Sequence, residues 1–178
     1  MNNMNTFSGR KFNPMQIDLE NICTEDIAHA LSLLCRGGGH LKRFYSVGQH
    51  SLNCMKEAKA RGLSERVQLA CLLHDASEAY IADIIRPVKQ YLSNYVQIES
   101  MIMSYIWEKY ELEDLTDNEH NQWKQIDDDM LAYELKYLMN GESDRDIPIL
   151  YSVPDISEKK WEIVQNDFIE ALNELKIT

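Results

Sequence analysis

The stretch that decides the fold runs from Ser64 to Glu78 and has the sequence SERVQLACLLHDASE. Ser64 is a good helix N-cap because its hydroxyl can accept a hydrogen bond from an early backbone amide, and Glu65 follows where the helix dipole favours an acid. The positions that recur at helical spacing on the inner face are Val67, Ala70, Cys71 and His74. The stretch therefore predicts a helix that is apolar apart from His74 and Asp75, which lie in its middle.

The same helical period continues on both sides of this stretch. One helix is N-capped by Thr24 and stopped by Gly37-Gly38-Gly39, and another runs from near Ser46 to about Ala60. Three further helices are predicted. One begins near Pro87, the next spans roughly Asn118 to Met139, and the last follows a cap at Ser157. Turn residues near the N-terminus suggest a short β-ribbon. We expect an all-α helical bundle, a single domain over residues 1–178. Its core covers about 24–139, and extensions 1–23 and 140–178 pack on it.

Composition excludes several classes of function. The 178 residues include 18 Lys and Arg against 29 Asp and Glu, a net charge of −11. This balance argues against a nucleic-acid polymer as partner, because neutralising phosphates needs a basic surface, but it allows one small anionic ligand in a locally basic pocket. The polar N-terminus and short apolar runs predict neither a signal peptide nor a membrane partner. Four cysteines without a CxxC pair indicate buried, reduced thiols and a cytoplasmic location.

His74 and Asp75 are the first candidates for chemistry. An imidazole beside a carboxylate at the end of an apolar run needs hydrogen-bond partners or a metal, because burial without a partner is costly. Taken alone, a histidine bonded inside the core is the simpler interpretation. Glu78 lies four residues after His74, so a continuous helix would place both on one face, where the carboxylate could accept a proton from a water. Its neighbours Ala79 and Tyr80 do not indicate a fully solvated surface.

His50 is the second candidate. Val47 and Cys54 flank it at helical spacing, three residues before and four after, which predicts an inward-facing ring. In isolation, a core histidine is again a sufficient explanation. The third candidate lies on the helix predicted from roughly Asn118 to Met139.

An acidic run, Asp127-Asp128-Asp129, supplies that third candidate. Its three carboxylates repel one another and cannot all face the core. Asp127 shares an inward stripe with Met130, Leu131 and Glu134, so we expect Asp127 to face the interior. Asp128 and Asp129 are expected to rotate toward solvent, with at least one of them on a solvated helix face.

Together, one histidine, a His-Asp pair and a later aspartate form a constellation of metal-ligand types. Two imidazoles and two carboxylates suit a divalent transition metal: Mn, Co, Fe, Ni or Zn. A lone His-Asp dipeptide would be a weak signal. The order of His50, His74-Asp75 and Asp127 across a mostly helical chain is much more specific.

These residues resemble the HD-domain metal-dependent phosphohydrolases, in which His50, His74, Asp75 and Asp127 match the four metal-ligand positions. The resemblance covers roughly residues 6–139. The segments similar to bacterial 5′-deoxynucleotidases are His74–Tyr80, Asp83 and Arg86–Lys89. The segments similar to small prophage-borne HD hydrolases are Asp26–Ala28, Leu31-Ser32, Cys35-Arg36, Gly39-His40, Phe44–Val47 and Gln49-His50.

The resemblance implies a role for each matched position. Glu78 and Asp83 match acidic positions that activate the water or protonate the leaving group. Arg36 lies near the position of a phosphate- or sugar-contacting arginine, and Lys89 matches a basic position beside the phosphate. Two further substrate contacts are His40 and either Tyr45 or Phe44, for which core packing is an equal alternative. Gly37 replaces the tryptophan that follows the arginine in the deoxynucleotidases, so recognition of the sugar is expected to differ.

The implied activity is hydrolysis of a nucleotide phosphoester, with a deoxynucleoside 5′-monophosphate as the leading substrate. A deoxynucleotide triphosphohydrolase that releases triphosphate is an alternative that the residues do not separate from it. Alarmone hydrolysis ranks low, because that branch carries adjacent Glu and Asp where this chain has Glu78-Ala79. A non-catalytic nucleotide-sensing module is the alternative from another class. The resemblance also implies self-association, since HD nucleotidases are often dimers or larger.

Overall fold

The computed structural model describes residues 3–176, without the side chain of Lys176, and these residues form eight helices and one two-stranded sheet. The helices are α1 (Thr24–Leu33), α2 (Val47–Ala60), α3 (Glu65–Leu73), α4 (Glu78–Ile81), α5 (Arg86–Lys89), α6 (Ser93–Lys109), α7 (Asp117–Leu138) and α8 (Trp161–Lys176). Strands β1 (Met4–Asn5) and β2 (Lys11–Phe12) pair antiparallel, with Met4 opposite Phe12. The predicted all-α bundle with a short N-terminal β-ribbon is therefore confirmed.

Side-chain caps explain where three of the helices begin. The Ser46 hydroxyl accepts a hydrogen bond from the Gln49 amide at 3.1 Å, and the Ser64 hydroxyl accepts one from Val67 at 3.3 Å. At α7, Thr116 and Glu119 form a reciprocal capping box. These contacts satisfy amides that have no partner within the helix. The predicted starts near Ser46 and at Ser64 are confirmed, whereas the capping box at Thr116 was not predicted and α7 begins at Asp117, one residue before the expected Asn118.

Other predicted boundaries are wrong. Thr24 is the first residue of α1, whose N-cap is Cys23, and α1 ends at Leu33 before the glycines. Residues 36–39 form a separate 3₁₀ turn in which Gly37 has φ +63°, a left-handed conformation that favours glycine. The Arg36 amide donates to the Tyr45 carbonyl at 2.9 Å, which closes the loop that follows. The final helix starts at Trp161, four residues after the predicted cap.

The core surrounds α2, which packs against α1, α3, α7 and α8. Nearly every residue of α2 from Val47 to Met55 is buried, and its apolar members contact those of the neighbouring helices. Because α2 is central, burying a polar side chain on it is costly unless that side chain finds a partner inside the protein. The polar residues of α2 therefore organise both the candidate site and the C-terminal segment.

One polar row on α2 holds the irregular segment before α8. Gln49 and Asn53 both donate to the Asp155 carbonyl, at 2.9 Å and 3.0 Å. Glu57, one turn further on, accepts a hydrogen bond from the Ser152 amide at 2.8 Å. The irregular segment before α8 is therefore fastened to the central helix through its residues 152–157.

The predicted continuous helix through His74 is wrong. Helix α3 ends at Leu73, and His74 is its C-cap residue. The next backbone hydrogen bonds span three residues: the Ala76 amide donates to the Leu73 carbonyl at 2.8 Å, and the Glu78 amide donates to the Asp75 carbonyl at 3.0 Å. This tighter turn, rather than a shared helical face, sets the positions of His74 and Glu78. Within residues 3–176, no helix combines the length and apolarity needed to cross a membrane.

Candidate metal centre

Four side chains from three parts of the chain converge at the centre of the bundle. The Nε2 atom of His50 lies 3.2 Å from the Nε2 atom of His74 and 3.1 Å from Asp127 Oδ1. His74 Nε2 lies 3.3 Å from Asp75 Oδ2 and 3.6 Å from Asp127 Oδ1. The distance from His50 Nε2 to Asp75 Oδ2 is 3.9 Å. The structure thus brings together all four residues that the sequence singled out as metal ligands.

Three of these five separations match the spacing of neighbouring ligand atoms around one ion. With metal–ligand bonds of about 2.1 Å, neighbouring donors are about 3.0 Å apart in octahedral geometry and about 3.4 Å apart in tetrahedral geometry. The distances of 3.1, 3.2 and 3.3 Å fall in this range. Two imidazole nitrogens and two carboxylate oxygens are also ligands that transition metals accept. The residues present therefore fit a divalent transition-metal ion.

Hydrogen bonds at the outer nitrogen of each imidazole orient the two rings. Glu134 Oε1 lies 2.7 Å from Nδ1 of His50, and the Cys71 carbonyl lies 2.8 Å from Nδ1 of His74. Since both acceptors favour a proton on Nδ1, they leave the Nε2 lone pairs directed at the centre. A carboxylate or carbonyl behind a ligating histidine is the usual support of a metal site.

The electrostatics of the cluster favour a cation at its centre. Burial alone would lower the pKa of His74, but the Asp75 and Asp127 carboxylates outweigh it and raise that pKa to about 9. Burial would raise the pKa of Asp127, yet hydrogen bonds from His50 and His74 hold it far below its ordinary value. The carboxylates therefore stay ionised and attract positive charge to the imidazoles, as a proton or as a metal ion.

Cys54 offers a further donor. Its sulfur lies 3.5 Å from His50 Nε2, and one ligand atom each from His50, Cys54 and His74 lies within 4.8 Å of the other two. The sulfur is also 3.9 Å from Nδ1 of His50, so it sits beside the imidazole ring rather than beyond its Nε2 atom. Burial and the charge of Asp127 raise the pKa of the Cys54 thiol well above its ordinary value. We therefore favour the carboxylate donors over the thiol.

Two arginines bind the carboxylates of the cluster, Arg36 at the Asp75 oxygen that faces the imidazoles and Arg86 at the outer oxygen of Asp127. Arg36 Nη1 donates to Asp75 Oδ2 at 3.0 Å, and its Nε lies 3.2 Å from Glu134 Oε2. Arg86 donates to Asp127 Oδ2 at 2.6 Å, which leaves Asp127 Oδ1 for the centre. These contacts orient both carboxylates, and a metal ion would share Asp75 Oδ2 with Arg36.

The two neighbours of Asp127, Asp128 and Asp129, differ in burial. Asp128 is exposed and pairs with Arg86 at 2.7 Å, as expected for a solvated helix face. Asp129 is buried, accepts a hydrogen bond from Arg61 at 2.8 Å and accepts another from Gln125 at 2.8 Å, so the prediction that it faces solvent is wrong. Arg61 comes from α2, and its position could not be inferred from the local pattern on α7.

A cavity of about 640 Å³ opens beside the convergent side chains. Its lining includes two of the four candidate ligands, Asp75 and Asp127, together with polar residues from four other parts of the chain. The polar lining residues outside the ligand set are Arg36, His40, Glu78, Asp83, Arg86, Lys89, Glu134 and Glu142. Their position at one cavity satisfies the basic geometric requirement for joint action on a small molecule.

Glu78 is buried at the wall of the cavity, where a proton-transfer group could reach a bound molecule. Its side chain is 5% exposed, and its Oε2 atom is buried without a hydrogen-bond partner. Burial, together with the nearby Asp75 and Asp83 carboxylates, raises the pKa of Glu78 well above its ordinary value. A carboxyl group with a raised pKa at the wall of a cavity is a candidate general acid or base.

The remaining predicted contacts divide into those at the cavity and one in the core. His40, Asp83 and Lys89 line the cavity; Asp83 accepts a hydrogen bond from the Gly37 amide at 3.3 Å, and Lys89 pairs with Glu99 at 2.5 Å. Tyr45 is 0% exposed, and its hydroxyl donates to Glu134 at 2.7 Å. The expectation that Tyr45 contacts substrate is therefore wrong, because the ring is packed in the core and its polar atom supports Glu134.

Several residues of the site were not assigned from the sequence. Glu134 was noted as part of the stripe that contains Asp127, but not as the partner of His50. The ring of Trp123 lies 5.8 Å from the ring of His74, tilted by 34°. Both residues sit on α7 at helical spacing from Asp127, which is the signal that could have identified them.

Comparison with known proteins gives relatives but no family. No protein-family model matches the chain. The chain is 40% identical over 112 residues to Uncharacterized protein YfdR of Escherichia coli strain K12, covering 63% of this chain and 60% of that protein. It is 38% identical over 108 residues to Uncharacterized protein RCAP_rcc00048 of Rhodobacter capsulatus, covering 56% of this chain and 53% of that protein. The aligned region is therefore less than two thirds of either relative.

Proposed function

We infer that the protein is a metal-dependent phosphohydrolase of the HD-domain type that acts on nucleotides, with deoxynucleoside 5′-monophosphates as its substrates. The observation that carries the proposal is the convergence of four donor atoms, with both Nδ1 atoms already bonded, beside a cavity that holds the unpartnered Glu78. His50, His74, Asp75 and Asp127 would hold the ion. A divalent ion there would lower the pKa of a water and neutralise negative charge on a phosphoryl group.

The chain's own residues supply positioning and proton transfer. Glu78 orients the attacking water and accepts its proton, since its Oε2 atom has no other partner. Asp83, whose pKa burial raises, donates a proton to the leaving oxygen. Arg36 and Lys89 line the same cavity and orient the phosphoryl oxygens by charge.

The charge of the cavity favours a monophosphate over a triphosphate. Its lining carries six carboxyl side chains (Asp75, Glu78, Asp83, Asp127, Glu134 and Glu142) against three arginine or lysine side chains. Those three cations already pair with carboxylates: Arg36 with Asp75, Arg86 with Asp127 and Lys89 with Glu99. A triphosphate would bring more negative charge than one divalent ion and these engaged cations could neutralise.

A panel of nucleotides, assayed with added Mn²⁺ or Co²⁺, tests this proposal. We expect release of inorganic phosphate from deoxynucleoside monophosphates and loss of that release in His74→Ala and Glu78→Ala. His74→Ala should also lose bound metal, whereas Glu78→Ala should retain it. Release of intact triphosphate from a deoxynucleoside triphosphate would instead support the triphosphohydrolase.

A protein that binds metal and nucleotide but hydrolyses none of the panel would be a sensing module, and the proposed catalytic function would be wrong. The unpartnered carboxyl of Glu78 favours the enzyme, because a sensor needs no buried proton-transfer group. We place the activity in the cytoplasm, which is consistent with four cysteines that form no disulfide.

A further inference from the structure

One wall of the cavity is apolar and begins at the candidate metal centre. Leu131 and Leu135 of α7 and its C-cap residue Met139 follow Asp127 at intervals of four residues, and all three line the cavity. Positions four apart on a helix lie on one face, so the metal-ligand position and the apolar side chains form a continuous stripe. With a rise of 1.5 Å per residue, Leu135 lies about 12 Å along the helix from Asp127.

The glycine turn brings the opposite wall close to this stripe. A Cβ atom at Gly37 would lie 3.3 Å from Leu41 Cδ2 and 4.0 Å from Met139 Cε, so the glycine lets these side chains approach one another. Leu41, Leu131, Leu135 and Met139 are each only partly buried, although they are apolar. Their remaining exposed surface faces a cavity in which a ligand could cover it.

We propose that the stripe of Leu131, Leu135 and Met139, with Leu41 opposite, is the subsite for the nucleoside part of the substrate and sets substrate preference through apolar burial. This inference rests on the proposed function, which places the phosphate at the Asp127 end of the cavity. The nucleoside then extends along α7, and its heterocycle covers the aliphatic side chains.

The ends of the wall favour a heterocycle over an alkyl chain. Polar residues flank the apolar surface: His40 beside Gly38, and Glu142 three residues beyond Met139, where its Oε2 accepts a hydrogen bond from Arg145. A nucleobase has apolar faces and a polar edge, so it can bury its faces on the leucines while its edge meets these groups. A plain alkyl chain would offer these polar groups no hydrogen bond in exchange for the water it displaces.

Deoxyadenosine is a suitable probe because it lacks the phosphate and cannot be hydrolysed. Calorimetric titration should show binding of deoxyadenosine to the metal-loaded wild type in the millimolar range, and no binding of deoxyribose. Leu135→Asn should weaken deoxyadenosine binding about tenfold and should raise KM for deoxyadenosine monophosphate by a similar factor with little change in kcat. Leu33→Asn, at an exposed leucine of α1 outside the cavity, is the matched control and should change neither value.

The outcomes separate this inference from the proposed function. Binding of deoxyadenosine that Leu135→Asn does not weaken, or no binding to the wild type, would overturn the nucleoside subsite even if phosphate release is observed. Tighter binding of hexyl phosphate than of deoxyadenosine monophosphate would overturn it in favour of an alkyl substrate. Deoxyadenosine binding that depends on Leu135, in a protein that hydrolyses no nucleotide, would support the subsite and contradict the proposed function.

Discussion

Glu134 Oε1 lies 2.7 Å from Nδ1 of His50, in the buried contact between α7 and α2. The same carboxylate accepts a hydrogen bond from Tyr45 and pairs with Arg36. Glu134 thus holds His50 with its Nε2 atom directed at the candidate metal centre. Burial would raise the pKa of Glu134, but His50 and Arg36 lower it, so Glu134 remains an anion.

Replacing Glu134 by Gln should weaken metal binding. The amide keeps the shape of the side chain but removes the charge that supports the His50 tautomer. Loss of a supporting partner behind a metal ligand costs about 10- to 100-fold in affinity. Titration with Mn²⁺ measures this effect, and Glu170→Gln on the exposed face of α8 is the control. Unchanged affinity in Glu134→Gln would show that the orientation of His50 does not depend on this contact.

Trp123 should report metal binding by its fluorescence. Its ring lies 5.8 Å from the His74 ring, so a paramagnetic ion bound to His74 should quench its emission. We expect Co²⁺ to quench wild-type emission and Trp123→Phe to remove most of that quenching. Trp161→Phe is the matched control, because Trp161 lies against His29 on another part of the molecule. Equal quenching in Trp123→Phe would place the ion elsewhere.

Glu57 should make the stability of the fold depend on pH in the acid range. Burial raises its pKa, but hydrogen bonds from Ser152, the Tyr151 amide and Arg61 outweigh burial and lower it. A carboxyl with a lowered folded-state pKa contributes stability that is present above its unfolded pKa and lost as pH falls through its folded pKa. Glu57→Gln should therefore lower the free energy of unfolding at pH 7 by about 1–3 kcal/mol.

The difference between the wild type and Glu57→Gln should narrow as pH falls through about 4.3, where the Glu57 carboxylate is half protonated in the unfolded chain. Urea unfolding at a series of pH values measures both curves. A difference that stays constant across the acid range would show that the hydrogen bonds, and not the charge, account for the contribution of Glu57.

Ala82 should be replaceable by glycine with a gain in stability. Ala82 is the C-cap of α4 and lies between that helix and Asp83, with φ +68° and ψ 161°. Residues other than glycine rarely adopt this backbone conformation, and its strain costs about 1–3 kcal/mol of stability. Ala82→Gly relieves this strain, but the greater entropy of glycine in the unfolded chain offsets part of the gain. We therefore expect the free energy of unfolding to rise by about 1 kcal/mol, which corresponds to about 2–4 °C in Tm. Ala132→Gly within α7 should lower Tm instead. A lower Tm in Ala82→Gly would contradict the strain.

Local signals in the sequence predicted most of the helices. Ser46 and Ser64 accept cap hydrogen bonds from amides three positions away, so both helix starts could be predicted from a short stretch of sequence. The boundaries that failed depend on tertiary contacts. Helix α3 stops at Leu73 because the turn through His74 and Asp75 directs both side chains at α2 and α7, and no local breaker residue marks that stop.

The candidate metal centre was predictable because its residues are rare in apolar surroundings. His50, His74 and Asp127 stand out in inward-facing stripes, and the structure brings them together. The partners behind them were less predictable, since carboxylates such as Asp129 and Glu134 are buried only through cations on distant segments, Arg61 and Arg36. Polar networks of this kind require knowledge of which helices pack together.

The central claim is that His50, His74, Asp75 and Asp127 bind one ion together. A crystal of the Mn²⁺-loaded protein, measured for anomalous scattering, tests it most directly. We predict a single strong peak about 2.0–2.3 Å from both Nε2 atoms, Asp75 Oδ2 and Asp127 Oδ1. An ion bound by His50, Cys54 and His74 without the two carboxylates, or no peak between the two imidazoles, would contradict the account.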